Sequence, residues 1–240
     1  MSADVRILLW YDYNVRKNKV SRRTGSVVLP VLSAERKCMK KTDKEVHNVC
    51  YVTGKVTTLE ELSSPESVFD YFLLVETALP DGSRVHLPCG MTENILKSCG
   101  GKLCKGEWIQ VLGILNGVTG EKIAGAWVDV ITLKRVTKRS GRIFRNEALL
   151  TGNPIEGGCL IDRGVLMAAD FVLELENLEG GTFEAVADVP QKAVQEYVDT
   201  LGCRKLNVHG ALEFVPSEED EEDAIGVTIH VDRICAAEED

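Results

Sequence analysis

Apolar and polar positions alternate along most of this chain, in stretches of strand length set apart by turn residues. The first set begins with an alternating stretch at 48–58, a polar Ser-Pro loop through 67, and a strand over 68–79. Pro80-Asp81-Gly82-Ser83 forms a tight hairpin turn, since Asp-Gly tolerates the positive φ such turns need, and a third strand follows at 84–89. Thr92 then reads as an N-cap with Glu93 in the first turn. Ile95, Leu96 and Leu103 are available to bury, so a short helix ends at Gly100-Gly101. Strands at 107–116 and 123–136, joined by a Gly-rich turn, complete the set.

The same order returns downstream. Strands fall at 143–155, 166–178 and 182–189, with Glu179-Gly180-Gly181 as a turn. Pro190 stands where a helix can begin, and Ala193, Val194, Tyr197 and Leu201 recur at helical spacing up to Gly202. Strands at 205–215 and 225–234 flank an acidic loop over 217–223. Glycines mark the correspondence: Val-Thr-Gly-Lys-Val at 52–56 matches Leu-Thr-Gly-Asn-Pro at 150–154, 98 residues later. Gly113 follows Gly54 by 59 residues, and Gly210 follows Gly152 by 58. An internal repeat makes each copy one folding unit with one strand order. Three strands, a helix and two strands is the order of the five-stranded Greek-key barrel known as the OB-fold. The expected class is therefore all-β with short helices: two tandem OB-fold barrels over 46–142 and 143–240, preceded by a basic arm over 1–45.

The chain resembles the single-stranded DNA-binding proteins and primosomal accessory proteins built on this barrel. The resemblance is carried by apolar-Thr-Gly-Lys-Val in the first strand and by Lys105-Gly106-x-x-Ile109-x-Val111-x-Gly113 in the fourth. Ala126-x-Val128-x-Val130-x-x-Leu133 in the fifth strand adds to it, and it extends over roughly 46–136 and 143–235. It implies binding of single-stranded nucleic acid, DNA favoured, in replication, repair or recombination. The chain departs from the family in a short loop between its fourth and fifth strands and in an acidic end without a terminal Pro-Phe.

Charge separates the two copies. The net charge is −9, yet residues 1–47 carry 11 Lys and Arg against 5 acids, and residues 147–240 carry 5 against 22. One end of the chain attracts a polyanion and the other repels it. No window approaches 18 uncharged apolar residues, which argues against a membrane span. The opening residues lack a signal-peptide core, so an intracellular protein is expected, with organellar import not favoured.

A barrel that holds single strands without reading sequence needs cations along a groove and flat side chains for stacking. Trp108 and Trp127 have a parity opposite to the expected core positions Ile109, Val111, Ala126, Val128 and Val130, and Phe69 and Tyr71 are further candidates. Phe72, with Leu74 in parity, reads as core. Candidate cations are Lys55, Arg84, Lys105 and Lys122 in the first copy, and Lys138, Arg139 and Arg142 after it. Arg16, Lys17, Lys19, Arg22 and Arg23 lie between two strand-like stretches, so the arm reads as a basic β-hairpin carrying Trp10, Tyr11 and Tyr13. A docking or dimerisation role for the arm stays open, as does homo-oligomer formation. The second copy has no tryptophan and an acidic loop, so it reads as a protein-contact module.

Eight cysteines without a secretory signal read as reduced thiols. The spacing of His86, Cys89, Cys99 and Cys104 leaves a zinc site open, although it contains no Cys-x-x-Cys knuckle. No phosphate-binding loop, nucleophile elbow or His-Glu-x-x-His occurs, so neither catalysis nor a cofactor is expected. The rival reading is a structural or RNA-binding subunit of a larger nucleoprotein or ribosomal assembly.

Overall fold

The computed structural model describes residues 48–62, 69–118, 125–162, 165–216 and 225–237. Among the described residues ten strands and two short helices run in the order β1 (Val49–Glu61), β2 (Tyr71–Ala78), β3 (Arg84–Met91), α1 (Glu93–Ser98), β4 (Trp108–Val118), β5 (Gly125–Arg135). The order then repeats as β6 (Arg145–Asp162), β7 (Val165–Glu176), β8 (Thr182–Pro190), α2 (Val194–Asp199), β9 (Leu206–Pro216), β10 (Ile225–Ala236). Pairings β1–β2, β2–β3, β3–β5, β5–β4 and β4–β1 close a five-stranded barrel, and β6, β7, β8, β10 and β9 pair in the same circular order. A closed ring leaves few free strand edges.

The repeated glycines sit at equivalent places in the two rings. Gly54 lies where β1 exchanges β4 for β2 as its partner, and Gly152 lies where β6 exchanges β9 for β7. A Cβ at Gly54 would lie 2.3 Å from the Glu76 carbonyl oxygen, and one at Gly152 would lie 2.4 Å from that of Glu174. Neither crossing admits a side chain. Gly113 pairs with Cys50 and Gly210 with Ala148, so the second glycine pair matches as well.

The N-terminal half of each first strand keeps an edge that its own ring leaves unpaired. Those two edges pair with each other, Cys50 opposite Ala148 and Val52 opposite Asn146. Asn48, at φ 61°, immediately precedes β1. Its side-chain amide donates to the Glu176 carbonyl at 3.0 Å and accepts from the Thr151 N–H at 3.2 Å. The buried core is continuous through both rings. Leu96 of α1 is buried against one end of it, and Tyr197 of α2 stacks on Phe171 with ring centroids 5.0 Å apart.

Two features depart from the pattern along the chain. Pro190 closes β8, and α2 begins only at Val194 after a turn in which the Ala193 N–H donates to the Pro190 carbonyl. β6 continues to Asp162 through Pro154, Gly157 and Gly158, because β7 pairs with it along that length around two register shifts. Phe72 and Leu74 are buried as expected, at 1% and 3% exposed, but on the face of β2 opposite Leu73 and Val75, which join the core cluster shared by the two rings. Among the described residues no helix is long and apolar enough to cross a membrane.

Candidate nucleic-acid interface

On the outward face of the first ring, one row of side chains crosses four strands. His86 of β3 is opposite Glu76 of β2, Glu76 is opposite Lys55 of β1, and Lys55 is opposite Trp108 of β4. Lys55 and Trp108 alternate with the core residues Val56 and Ile109, which turns both outward.

The segment between the rings closes on this row. The Val136 N–H donates to the Trp108 carbonyl at 2.8 Å, so the segment leaves from Trp108. It returns there through Phe144, whose ring centroid lies 4.6 Å from that of Trp108 at an interplanar angle of 44°. Lys55 Nζ is 5.5 Å from each of those two centroids, and the Arg84 guanidinium carbon is 3.6 Å from that of Phe144. Two rings thus carry two cations in contact with their faces, each worth about 0.5–1 kcal/mol at a half-exposed site. Lys138, Arg139 and Arg142 are exposed on the loop between Val136 and Phe144, which includes a 3₁₀ turn at Arg139–Gly141. Lys105 is exposed in the turn whose Gly106 N–H donates to the Val56 carbonyl, next to Lys55. A second cation–ring pair adjoins through β6: the Arg145 guanidinium carbon lies 4.5 Å from the Tyr51 ring centroid. Glu147 holds that guanidinium through two 2.6 Å hydrogen bonds.

The structure therefore brings together Trp108, Lys55 and Arg84, the last through Phe144, while Lys105, Lys138, Arg139 and Arg142 are exposed on the turn and loop that adjoin the row. It places Trp127 elsewhere. Trp127 pairs with Asn116, eight positions along β4 from Trp108, which is about 26 Å at strand rise. Its Nε1 donates to Asp129 at 2.5 Å, and Asn116 donates to the other carboxylate oxygen at 2.9 Å. The Asn116 side-chain oxygen accepts from the Gly117 N–H at 3.0 Å and the Leu178 N–H at 3.4 Å, so this end of the sheet abuts the β7–β8 turn. Burial pushes the Asp129 carboxyl up to about 7 against the pull of its two donors. Tyr71 leans on the core, and its hydroxyl is held above the usual tyrosine range by partial desolvation and by Glu61, Glu93 and Asp70. Phe69 lies on Gly90, within 2.5 Å of where a Cβ would stand. Lys122, Arg16, Lys17, Lys19, Arg22, Arg23 and the expected hairpin arm lie outside the described residues.

The residues weighed for zinc do not converge. Cys89 is buried in the core, where burial pushes its thiol far up, whereas His86 and Cys104 are exposed. Among the described residues no group of three or more His, Cys, Asp or Glu side chains is placed to hold a metal ion. Cys50 is likewise a buried thiol pushed up to about 12.

Phe144 and Tyr51 escaped the reading of the sequence, whereas Arg145 was legible as the end of the basic run that begins at Lys134. The available signal was an aromatic between two arginines at 142–145, which the alternating pattern absorbs into a strand.

The strand circuit has counterparts among solved structures. The wild-type single-stranded DNA binding protein from Thermus aquaticus matches over 80% of this chain and 94% of its own, with 18% identity and a TM-score of 0.54. A crystal structure of a deletion mutant of that protein matches over 80% and 95%, at the same identity and TM-score. The chain shares their fold. No protein-family model matches the sequence, and no curated protein matches it. The likeness is one of backbone geometry and strand circuit, at 18% sequence identity.

Proposed function

We propose that this chain is a non-enzymatic protein that binds single-stranded nucleic acid, DNA favoured, on the outward face of its first ring. In this reading the two rings are tandem OB-fold barrels, and the second serves protein contacts. The observation that carries it is the cluster of Trp108, Phe144, Lys55 and Arg84, with Lys105, Lys138, Arg139 and Arg142 around it. Rings supply sequence-independent stacking, worth about 1–3 kcal/mol per base, and the cations neutralise phosphates.

Register supports the division of labour. Gly152 stands where Gly54 does, so the row equivalent to His86, Glu76 and Lys55 is Glu184, Glu174 and Asn153, and Lys205 takes the place of Trp108. The second ring offers two carboxylates and no aromatic there. Support for two barrels also comes from the coverage of the Thermus aquaticus match, since 80% of the chain exceeds the length of either ring.

The test is a titration of labelled dT30 and rU30 into the full chain at low and moderate salt, following anisotropy and tryptophan fluorescence. Binding to dT30 that weakens steeply with salt and quenches indole emission is expected. Absence of binding at low salt refutes the reading, and binding confined to rU30 transfers it to RNA.

A further inference from the structure

The outward face of β7 and β8 carries a groove in the part of the second ring that, in the first ring, is filled. Register equates Val172 with Leu74, Val186 with Pro88 and Asp170 with Phe72. Leu74, Pro88 and Phe72 are all buried, whereas Val186 is 45% exposed and the neighbouring Ile155 48%. Glu156, Gly157, Asp170, Phe171, Val172 and Val186 line an open cavity of about 580 Å³ on this face. Its rim is acidic. Asp170 stands directly opposite Asp188 and Glu174 directly opposite Glu184, so pairs of like charges face one another across two strands. Such pairs destabilise a sheet unless partners offset them; His230 Nδ1 lies 3.2 Å from Asp188, and the Asn153 amide donates to Glu174 at 3.4 Å.

We infer that this groove is the docking site of the chain's own basic N-terminal segment, residues 1–45. The apolar floor and carboxylate rim fit a peptide that alternates aromatic and cationic side chains. That segment carries Trp10, Tyr11 and Tyr13 followed by Arg16, Lys17 and Lys19, and residues 1–47 bear a net charge of +6. The point of attachment is also close. Asn48 bonds to the carbonyl of Glu176 at the end of β7, four residues from Val172, a span of about 13 Å. Roughly five extended residues cover that distance, and the segment is far longer. Docking within one chain keeps the effective concentration of the segment in the millimolar range, enough for a weak contact. The inference rests on the second ring being a contact module and names its partner. A single strand bound on the first ring then competes for the same cations, so the acidic face sets how much of the basic segment is free to bind phosphates.

Carbodiimide cross-linking of the full chain, which joins a lysine amine to a carboxylate, tests this. In an equal mixture of ¹⁴N- and ¹⁵N-labelled protein, Lys17 and Lys19 are expected to link to Glu156, Asp170, Glu174, Glu184 or Asp188 with a single isotope in each linked peptide. Links to carboxylates elsewhere, mixed-isotope links, or no links overturn the inference. Glu174→Lys with Glu184→Lys should speed tryptic cleavage at Arg16–Arg23 about fivefold or more, because docking protects those bonds. Glu174→Gln with Glu184→Gln, which retains size and hydrogen bonding, should give a smaller change in the same direction, and an unchanged rate in both variants overturns docking. Neither readout contains nucleic acid, so a failure here is separate from a failure of dT30 to bind.

Discussion

Replacing Trp108 by alanine separates the two tryptophans that strand parity treats alike. In the structure Trp108 carries Phe144 at 4.6 Å and Lys55 at 5.5 Å on the outward face, whereas Trp127 is committed to Asp129 at the opposite end of β4. Loss of one stacking ring costs about 1–3 kcal/mol, so Trp108→Ala should weaken dT30 binding about 5- to 150-fold. Trp108→Phe should recover part of that loss. Trp127→Ala should leave affinity within about twofold and instead lower stability by about 1–3 kcal/mol, because an enclosed carboxyl loses a donor. In the proposed site six cations set the salt dependence: Lys55 and Arg84 on the rings, and Lys105, Lys138, Arg139 and Arg142, exposed on the adjoining turn and loop. At about 0.7 per phosphate neutralised, they give a slope near −4, or about a 300-fold loss between 50 and 200 mM salt. The assay is anisotropy of labelled dT30, with indole quenching recorded in each variant. Quenching should disappear in Trp108→Ala and persist in Trp127→Ala. If Trp127→Ala costs more affinity than Trp108→Ala, the site is misplaced.

Three further outcomes follow from particular contacts. Lys55→Ala with Arg84→Ala should reduce the salt slope by about 1.4 and lower urea stability by only about 1–2 kcal/mol, the worth of the two cation–ring contacts, which a salt titration and a denaturation curve read separately. Gly54→Ala should destabilise by about 3 kcal/mol or more in urea, since its Cβ would meet the Glu76 carbonyl at 2.3 Å and the backbone cannot yield cheaply; a loss below about 1 kcal/mol contradicts the crossing geometry. The raised value of Asp129, about 7 against an ordinary 3.8, means that the folded state holds a proton the unfolded chain has lost. Its contribution is therefore full below about pH 4, falls as pH rises toward 7 and is flat above. Thermal melts from pH 5 to 8 should show that decline, and Asp129→Asn should flatten it.

Much of the architecture is legible along the chain because local chemistry dictates it. Asp81-Gly82 favours a tight turn between β2 and β3, and Gly82 has φ 89°. Alternation at 107–116 and 205–215 needs a half-buried strand. The charge difference between the halves is also a property of the sequence alone, and so is the ordering of elements that the glycine repeat duplicates. Other features depend on neighbours remote in sequence. In 71–75 every residue is large and apolar or aromatic, so nothing local says that Leu73 and Val75 enter the core while Phe72 and Leu74 face outward. Only pairing with β1 and β3 fixes that choice. β6 runs past Pro154, Gly157 and Gly158 because β7 supplies hydrogen bonds that local propensity could not replace. Parity turns both Trp108 and Trp127 outward, but which end of the strand meets Phe144 and which meets Asn116 is decided by where the inter-ring segment folds. The sequence by itself determined the two glycine-marked copies and their opposite charges, since turn chemistry and composition are local. The tertiary structure alone decided that Gly54 and Gly152 are strand crossings without space for a Cβ, and that Phe144, Lys55 and Arg84 gather on Trp108, since both depend on strands that meet only once the rings close.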